Sequence, residues 1–581
     1  MKAQCRSFLL LFLLLLSGTA GAQERFQDRL PENTLAYVAS ANREALESVR
    51  ATNPLLRLLA SPEMKANWEA LRTSRSRRTG QQAKESAAKE DEEFLELLKA
   101  PGLIALLPPD PHAPPRATGG PQPLFLFLLD TLGQEALIER LRSRAVIGGG
   151  AFSSYDFEGV VVEEARNPAG EATGYLARLD RWLVGGSERA ATENWIRAVR
   201  EAPARSLKDT ESYSTARAML TAPAQWEAYL NLPALVDLFS AVPSLGASAP
   251  PPEKIVAALG LRAFGPFLAA VEFRPETTRY QLMLARREPA ASPLDALAPA
   301  APQFASLSLG GADALGYSVT RVDFQAGWSY LQGAAASLFP PAALFVLMAD
   351  SFLEEKTGFT LPQFISATGD EFAHFEYAGE TDNPLQTVWA LRHRDRARVL
   401  ALVEGALPAM VQRFGFHEVA PVGGQDGIPA YYRLEPKPET DPAAAAKEVR
   451  TLLYLAVTDD WVLVTSTESV LQRTLARVAD SPSLAEADVF RRARSRFPAE
   501  LSTFGFMDVD AWLASGVIER WLEQAAAAQQ SKPADDGEAG AAPAEPPPTP
   551  LKLNIPRGYL KWIVTGTTQD ARGIYHSGYI E

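Results

Sequence analysis

One cysteine in 581 residues, five histidines and no apolar run of membrane-spanning length set the first limits on this chain. The cysteine, Cys5, stands in front of a nine-residue apolar run, Phe8 to Leu16, which follows the basic residues Lys2 and Arg6. Ala20-Gly21-Ala22 then supplies small residues before Gln23, so residues 1–22 are expected to be a signal peptide cleaved between Ala22 and Gln23. Cys5 precedes the apolar run, so it cannot be the lipid-accepting cysteine of a bacterial lipoprotein, and it leaves with the signal. That loss excludes disulfides, a thiol nucleophile and thiolate metal sites from the mature chain. The apolar run is about half the length that spans a bilayer. Elsewhere Leu124–Leu129 and Ala342–Ala349 are core-sized pieces, and no membrane span is expected after signal removal.

Positive charge is also in deficit. The formal net charge of -13 becomes -15 without Lys2 and Arg6, which argues against nucleic acid or an anionic lipid surface as a partner of the whole molecule. Hydrophobic residues make up 46% of the chain, as in ordinary globular domains, so a packed core must do what disulfides cannot.

Catalytic patterns are scarce. His112, His374, His393, His417 and His576 are never within four residues of one another, so no metal-ligand spacing exists and no metal or cofactor is expected. A G-x-S-x-G elbow is missing. Ser86-Ala87-Ala88-Lys89 has serine–lysine spacing but lies in a charged run with no apolar flank and without its partner motifs. Gly148-Gly149-Gly150 follows a helical stretch and reads as a turn. Among carboxylate pairs, Asp459-Asp460 reads as a hairpin turn, Asp508 or Asp510 as a helix cap, and Asp370-Glu371 as the pair best placed for a cleft.

What the chain does contain is a repeat. Setting Tyr175–Pro203 on Tyr454–Pro482 without gaps matches Tyr175/Tyr454, Leu176/Leu455, Ala177/Ala456, Asp180/Asp459, Trp182/Trp461, Ser187/Ser466 and Pro203/Pro482. With Val199/Val478 these make eight identities in 29 positions, against about two by chance, and mark a duplication. Tyr454–Thr458 and Trp461–Thr465 read as strands, Ser466 or Thr465 as a cap, and Val470, Leu471, Leu475 and Val478 as one helix face. Further on, Tyr213 answers Phe490 and Pro223 answers Pro498, and Phe267–Arg286 and Tyr559–Ile580 both read as hairpins.

The expected fold is therefore α+β: two tandem modules of mostly antiparallel sheet with packed helices. They cover residues 23–288 and 303–581, with a linker at 289–302. Residues 75–93 form a charged low-complexity run, 108–123 a proline/glycine loop, and 524–550 a proline- and alanine-rich insertion read as disordered.

Leu30–Leu46 (LPENTLAYVASANREAL), Leu55–Met64 (LLRLLASPEM) and the segment after the hairpin–helix resemble bacterial exported proteins of domain-of-unknown-function family 3352. The resemblance spans most of the mature chain and implies a periplasmic or extracellular protein. It carries over no site residue.

Trp182 and Trp461, at matching places in the repeat, are candidate core or ligand-pocket aromatics. The chain reads as a non-enzymatic binding or scaffold protein whose partner is an envelope protein or an apolar ligand. Two alternatives stand beside it: a carrier of an apolar ligand such as a lipid, and an envelope-polymer hydrolase using Asp370 and Glu371. A scaffold calls for an exposed apolar patch, a carrier for an enclosed apolar cavity, and a hydrolase for acids converging in a cleft.

Overall fold

The computed structural model describes residues 25–40, 48–67, 102–109, 123–131, 150–220, 224–241, 250–287, 293–379, 384–409, 416–423, 430–436, 452–477, 482–517 and 556–581, with short helical pieces at 135, 138–139 and 519–520. The leader with Ala22 and Gln23, the run 75–93, most of the loop 108–123 and the insertion 524–550 lie outside these residues.

Among the described residues, twenty strands join into one antiparallel sheet. In chain order they are β1 (Ala36–Ser40), β2 (Gly102–Leu107), β3 (Leu124–Asp130), β4 (Ala151–Phe157), β5 (Val160–Arg166), β6 (Ala172–Leu179), β7 (Trp182–Gly186), β8 (Trp226–Leu230), β9 (Phe264–Phe273), β10 (Thr278–Arg286), β11 (Gly316–Arg321), β12 (Thr368–Ala378), β13 (Leu385–His393), β14 (Phe416–Val422), β15 (Tyr431–Pro436), β16 (Leu453–Val457), β17 (Trp461–Thr465), β18 (Thr503–Asp508), β19 (Trp562–Asp570) and β20 (Gly573–Ile580). From one edge to the other the hydrogen-bonded order is β4-β5-β6-β7-β3-β2-β1-β8-β9-β10, then β20-β19-β18-β11-β12-β13-β17-β16-β15-β14. The order is a palindrome: each strand of the first ten has, at the same distance from the centre, the strand numbered ten higher.

The centre is the β10–β20 pairing, in register from Thr278↔Ile580 to Ala285↔Gly573. Tyr280 lies flat over Gly578, where a Cβ would meet its ring carbon at 2.3 Å, so the closeness of this seam requires glycine. Beside them the Tyr280 and His576 rings sit 5.8 Å apart, and His576 Nδ1 is 3.0 Å from Thr567 Oγ1. Burial lowers the His576 imidazole below its ordinary 6.5, so the fold favours the neutral ring. A folded pKa below the unfolded one leaves stability complete above about pH 6.5 and removes it as pH falls further. The melting temperature is accordingly expected to drop below about pH 6.5, and less steeply in His576→Gln. Identical pH profiles for the two proteins would remove His576 from the cause.

The outer edges are blunted. β4 alternates exposed and half-buried side chains, and β14 carries Pro421, which cannot donate to a further strand.

Helices pack on the sheet, among them α1 (Pro54–Ala60), α2 (Arg189–Arg200), α3 (Glu211–Ala218), α4 (Leu232–Ser240), α5 (Pro252–Ala258), α6 (Phe324–Leu338), α7 (Ala342–Thr357), α8 (Leu361–Ala367), α9 (Arg396–Ala401), α10 (Glu468–Ala476), α11 (Asp488–Arg494) and α12 (Val509–Ala514). α2 buries Trp195, Ile196 and Val199, and Trp195 Nε1 donates to the Phe127 carbonyl at 3.0 Å. α10 buries Val470, Leu471 and Leu475, while Val478 lies outside the described residues. One core gathers Tyr37, Leu126, Leu128, Val184, Trp195 and Leu268; the other gathers Tyr317, Phe375, Val388, Trp461, Leu463 and Phe504.

Neither Ser466 nor Thr465, the expected caps, caps α10, and Ser187 in the matching place does not cap α2. Ser187 Oγ accepts from Phe125 N at 2.9 Å and Ser466 Oγ from Thr387 N at 3.3 Å, so each serine ties a helix entry to the neighbouring strand. The α2 cap is Glu188, which accepts from Ala190 N and Ala191 N. The stretch expected as a linker, 289–302, is docked from Pro293 onward: Leu297 bridges to Val322, Ala301 bridges to Leu501, and Ala298 is buried.

Candidate interaction surface

α6 and α7 form a helical hairpin turning through Phe339-Pro340-Pro341. Asp323 caps α6 by accepting from Ala326 N at 2.9 Å, and the prolines end it, since neither can supply a helical N–H. α7 stops at Gly358, whose φ of 75° is left-handed. The base of the hairpin is well held. Leu353 on α7, Phe364 on α8 and Ala406 are buried together, Asp350 Oδ1 accepts from Leu361 N at 2.6 Å, and α5 packs on α6. Gly405 comes so close to the end of α7 that a Cβ would meet the Lys356 carbonyl oxygen at 2.5 Å.

The tip is not held. Leu344, Phe345, Leu347 and Met348 are 61% to 67% exposed, and Leu331 and Phe339 on the other arm are exposed too. Within Ala342–Ala349, expected as a core piece, Leu344, Phe345, Leu347 and Met348 thus form the most exposed large apolar group among the described residues. Hydrophobic content marks a segment for an apolar environment, but the hairpin packs at its base and leaves these side chains in water. Isolated exposed leucines are normal, whereas a cluster of large apolar side chains marks an interaction site.

The other candidate residues are placed as follows. Trp461 is buried in the second core; Trp182 is half-buried, edge-on to Phe26 at 5.1 Å with Arg181 over its face at 5.2 Å. They occupy corresponding strands, β7 and β17, and pack against different cores. Glu371 is fully buried and accepts from Ala305 N at 3.0 Å and Ser306 N at 2.7 Å. Asp370 pairs with Arg321, with Arg392 at 4.0 Å; burial works against its charge, but Arg321 outweighs it and holds the carboxyl below the usual range. Neighbours in one strand face opposite sides, so the two acids do not converge. Asp508 caps α12 through Ala511 N at 2.9 Å, and Asp510 accepts from Gly558 N at 3.3 Å. Both line an open cleft of about 630 Å³ with Arg492, Arg496 and Lys561, a mixed-charge wall unlike an apolar ligand pocket. His374 stacks on Trp389 at 5.6 Å, and His393 Nε2 lies 3.1 Å from the Thr458 carbonyl. Ser86–Lys89 and His112 lie outside the described residues, as does the side chain of His417.

One buried polar centre has no sequence signal. Glu227 on β8 accepts from Tyr37, from Arg25 at 3.1 and 3.2 Å, and sits 3.1 Å from Arg217 Nε; Tyr213 contacts Tyr37 at 2.8 Å. Burial first, then the Glu227 charge, raises both tyrosine pKa values, so the phenols stay protonated donors. A lone glutamate in a strand-like run is unremarkable until the fold surrounds it.

No protein-family model and no curated protein matches the chain. Three solved structures, crystal forms I, III and IV of TP0453, are similar over part of it. They share 10–12% identity and cover 45–46% of this chain and 80–81% of their own, with TM-scores of 0.21–0.22. Likeness at that level carries no argument about this chain.

Proposed function

We propose that this is an exported bacterial protein with a non-enzymatic binding role, built from two copies of one α+β module and working through the α6–α7 tip. The apolar tip carries the reading, since a cluster that nothing among the described residues covers is a surface for something outside it. Support for two copies comes from the palindromic strand order and from bonds that recur in both halves. Leu207 N donates to the Leu30 carbonyl as Leu484 N does to that of Gly310, and Asn231 caps α4 as Asp508 caps α12. Export is read from residues 1–22 and from the resemblance to the exported family.

The test is co-sedimentation with a bacterial envelope preparation. Phe345→Asp/Met348→Asp is expected to stay in the supernatant while its melting temperature remains within about 2 °C of the parent, since surface changes rarely cost more than about 0.5 kcal/mol. Equal sedimentation of variant and parent would remove the tip from the binding role.

A further inference from the structure

The tip's chemistry narrows what it meets. From Phe324 to Ala349, twenty-six consecutive residues carry no formal charge; the first charge beyond them is Asp350, at the packed base. The exposed side chains of α7 do not form a stripe. At 100° per residue, the exposed side chains from Leu347 through Leu344, Met348 and Phe345 to Ala349 span about 200° around the axis, and the half-buried Val346 continues the apolar surface beyond Ala349. Leu331 and Phe339 extend the apolar surface onto the other arm. A helix bound in a groove of another protein shows a one-sided face, whereas a segment apolar most of the way round calls for an apolar medium on several sides. A second copy of this chain would cover one side of the tip and leave the other wet.

We infer that the α6–α7 tip inserts into the outer part of a lipid bilayer, anchoring the protein to one leaflet without crossing it. This rests on the reading of the tip as the working surface. Ala342 to Ala349 rises about 12 Å, less than half of the roughly 30 Å hydrocarbon core. No helix among the described residues is long and apolar enough to cross a membrane. The depth is self-limiting, because Asp350, Glu354, Glu355 and Lys356 follow directly on α7 and stay at the water side. The tip has no lysine or arginine and the chain carries a net charge of -13, so the attraction is apolar rather than electrostatic. It needs no anionic lipid and survives high salt.

The experiment places an environment-sensitive fluorophore at Leu347→Cys in the full chain carrying Cys5→Ser. A second label at Asp459→Cys, on an exposed turn distant in sequence from the tip, serves as the reference. Protein-free phosphatidylcholine vesicles with a quencher on the acyl chains are then added. The expected result is quenching of the label at 347 and none at 459, unchanged by salt and not increased by phosphatidylglycerol. Leu344→Asp/Phe345→Asp is expected to weaken the partitioning of the 347 label by about tenfold or more. Reading the tip label itself separates insertion of the hairpin from adsorption through the apolar run Phe8–Leu16.

Three results would overturn the inference: an unquenched 347 label, quenching that requires anionic lipid and disappears in salt, or a concentration-dependent change of that label without vesicles, which would mean a second copy covers the tip. If the label stays silent while the Phe345→Asp/Met348→Asp variant still loses the envelope, the lipid inference fails and the binding role stands. If both tests fail, so does the role of the tip.

Discussion

Glu227→Ala is expected to lower the unfolding free energy by about 3–5 kcal/mol, the cost of breaking a buried ion cluster from one side. The carboxylate is 3% exposed and faces Arg25 and Arg217, with Tyr37 donating to it. Truncation leaves the largely buried Arg217 guanidinium and the buried Tyr37 phenol without this acceptor, while Arg25 keeps Asp28 at 3.4 Å. By strand order the counterpart of Glu227 is Phe504 on β18, surrounded by Tyr317 and Phe490. The same architecture therefore tolerates an apolar solution. Replacing the cluster together, as Glu227→Phe with Arg25→Met and Arg217→Leu, is expected to recover most of the loss. Urea denaturation of the three proteins decides it: a single-variant loss below about 1 kcal/mol would mean that water reaches the cluster.

The second large effect is at Trp461. Trp461→Ala is expected to cost about 3–5 kcal/mol, because its ring is buried against the second core and its removal leaves a cavity there. Trp182→Ala should cost roughly 1–2 kcal/mol, since that ring is only partly buried and meets Phe26 and Arg181 at the margin of its core. The inequality is the point of the measurement. Equal losses would show that Trp182 is packed as tightly as its partner in the repeat.

Much of the fold was readable from periodicity. The hairpin–helix unit falls where alternation and helical spacing place it: β16, β17 and α10 on one side, β6, β7 and α2 on the other. The paired hairpins β9–β10 and β19–β20 were legible too, the second turning at Ala571-Arg572. Local rules failed where tertiary contacts decide. Ser187 and Ser466 had a strand neighbour to bond that no local pattern reveals. Glu227 becomes a centre only when residues 25, 37, 213 and 217 converge on it. For Ala342–Ala349 the hydrophobicity was read correctly and its meaning was not, because composition does not distinguish the inside of a protein from the outside of one. The joining of the halves was invisible for a further reason: an edge strand looks the same whether its partner is a neighbour or lies 288 residues away, as Ala285 and Gly573 do.

That distance has a consequence for how the molecule is made. A chain delivered N-terminus first can assemble the first ten strands early, but β10 must then wait with one row of backbone groups unpaired while every later strand appears. β20, the last of the twenty in chain order, is the piece that seals the middle. Such a waiting edge is an invitation to foreign strands. A chain cut before Trp562 would keep it open permanently, with β18 bare as well, and would aggregate despite retaining nearly all of both cores.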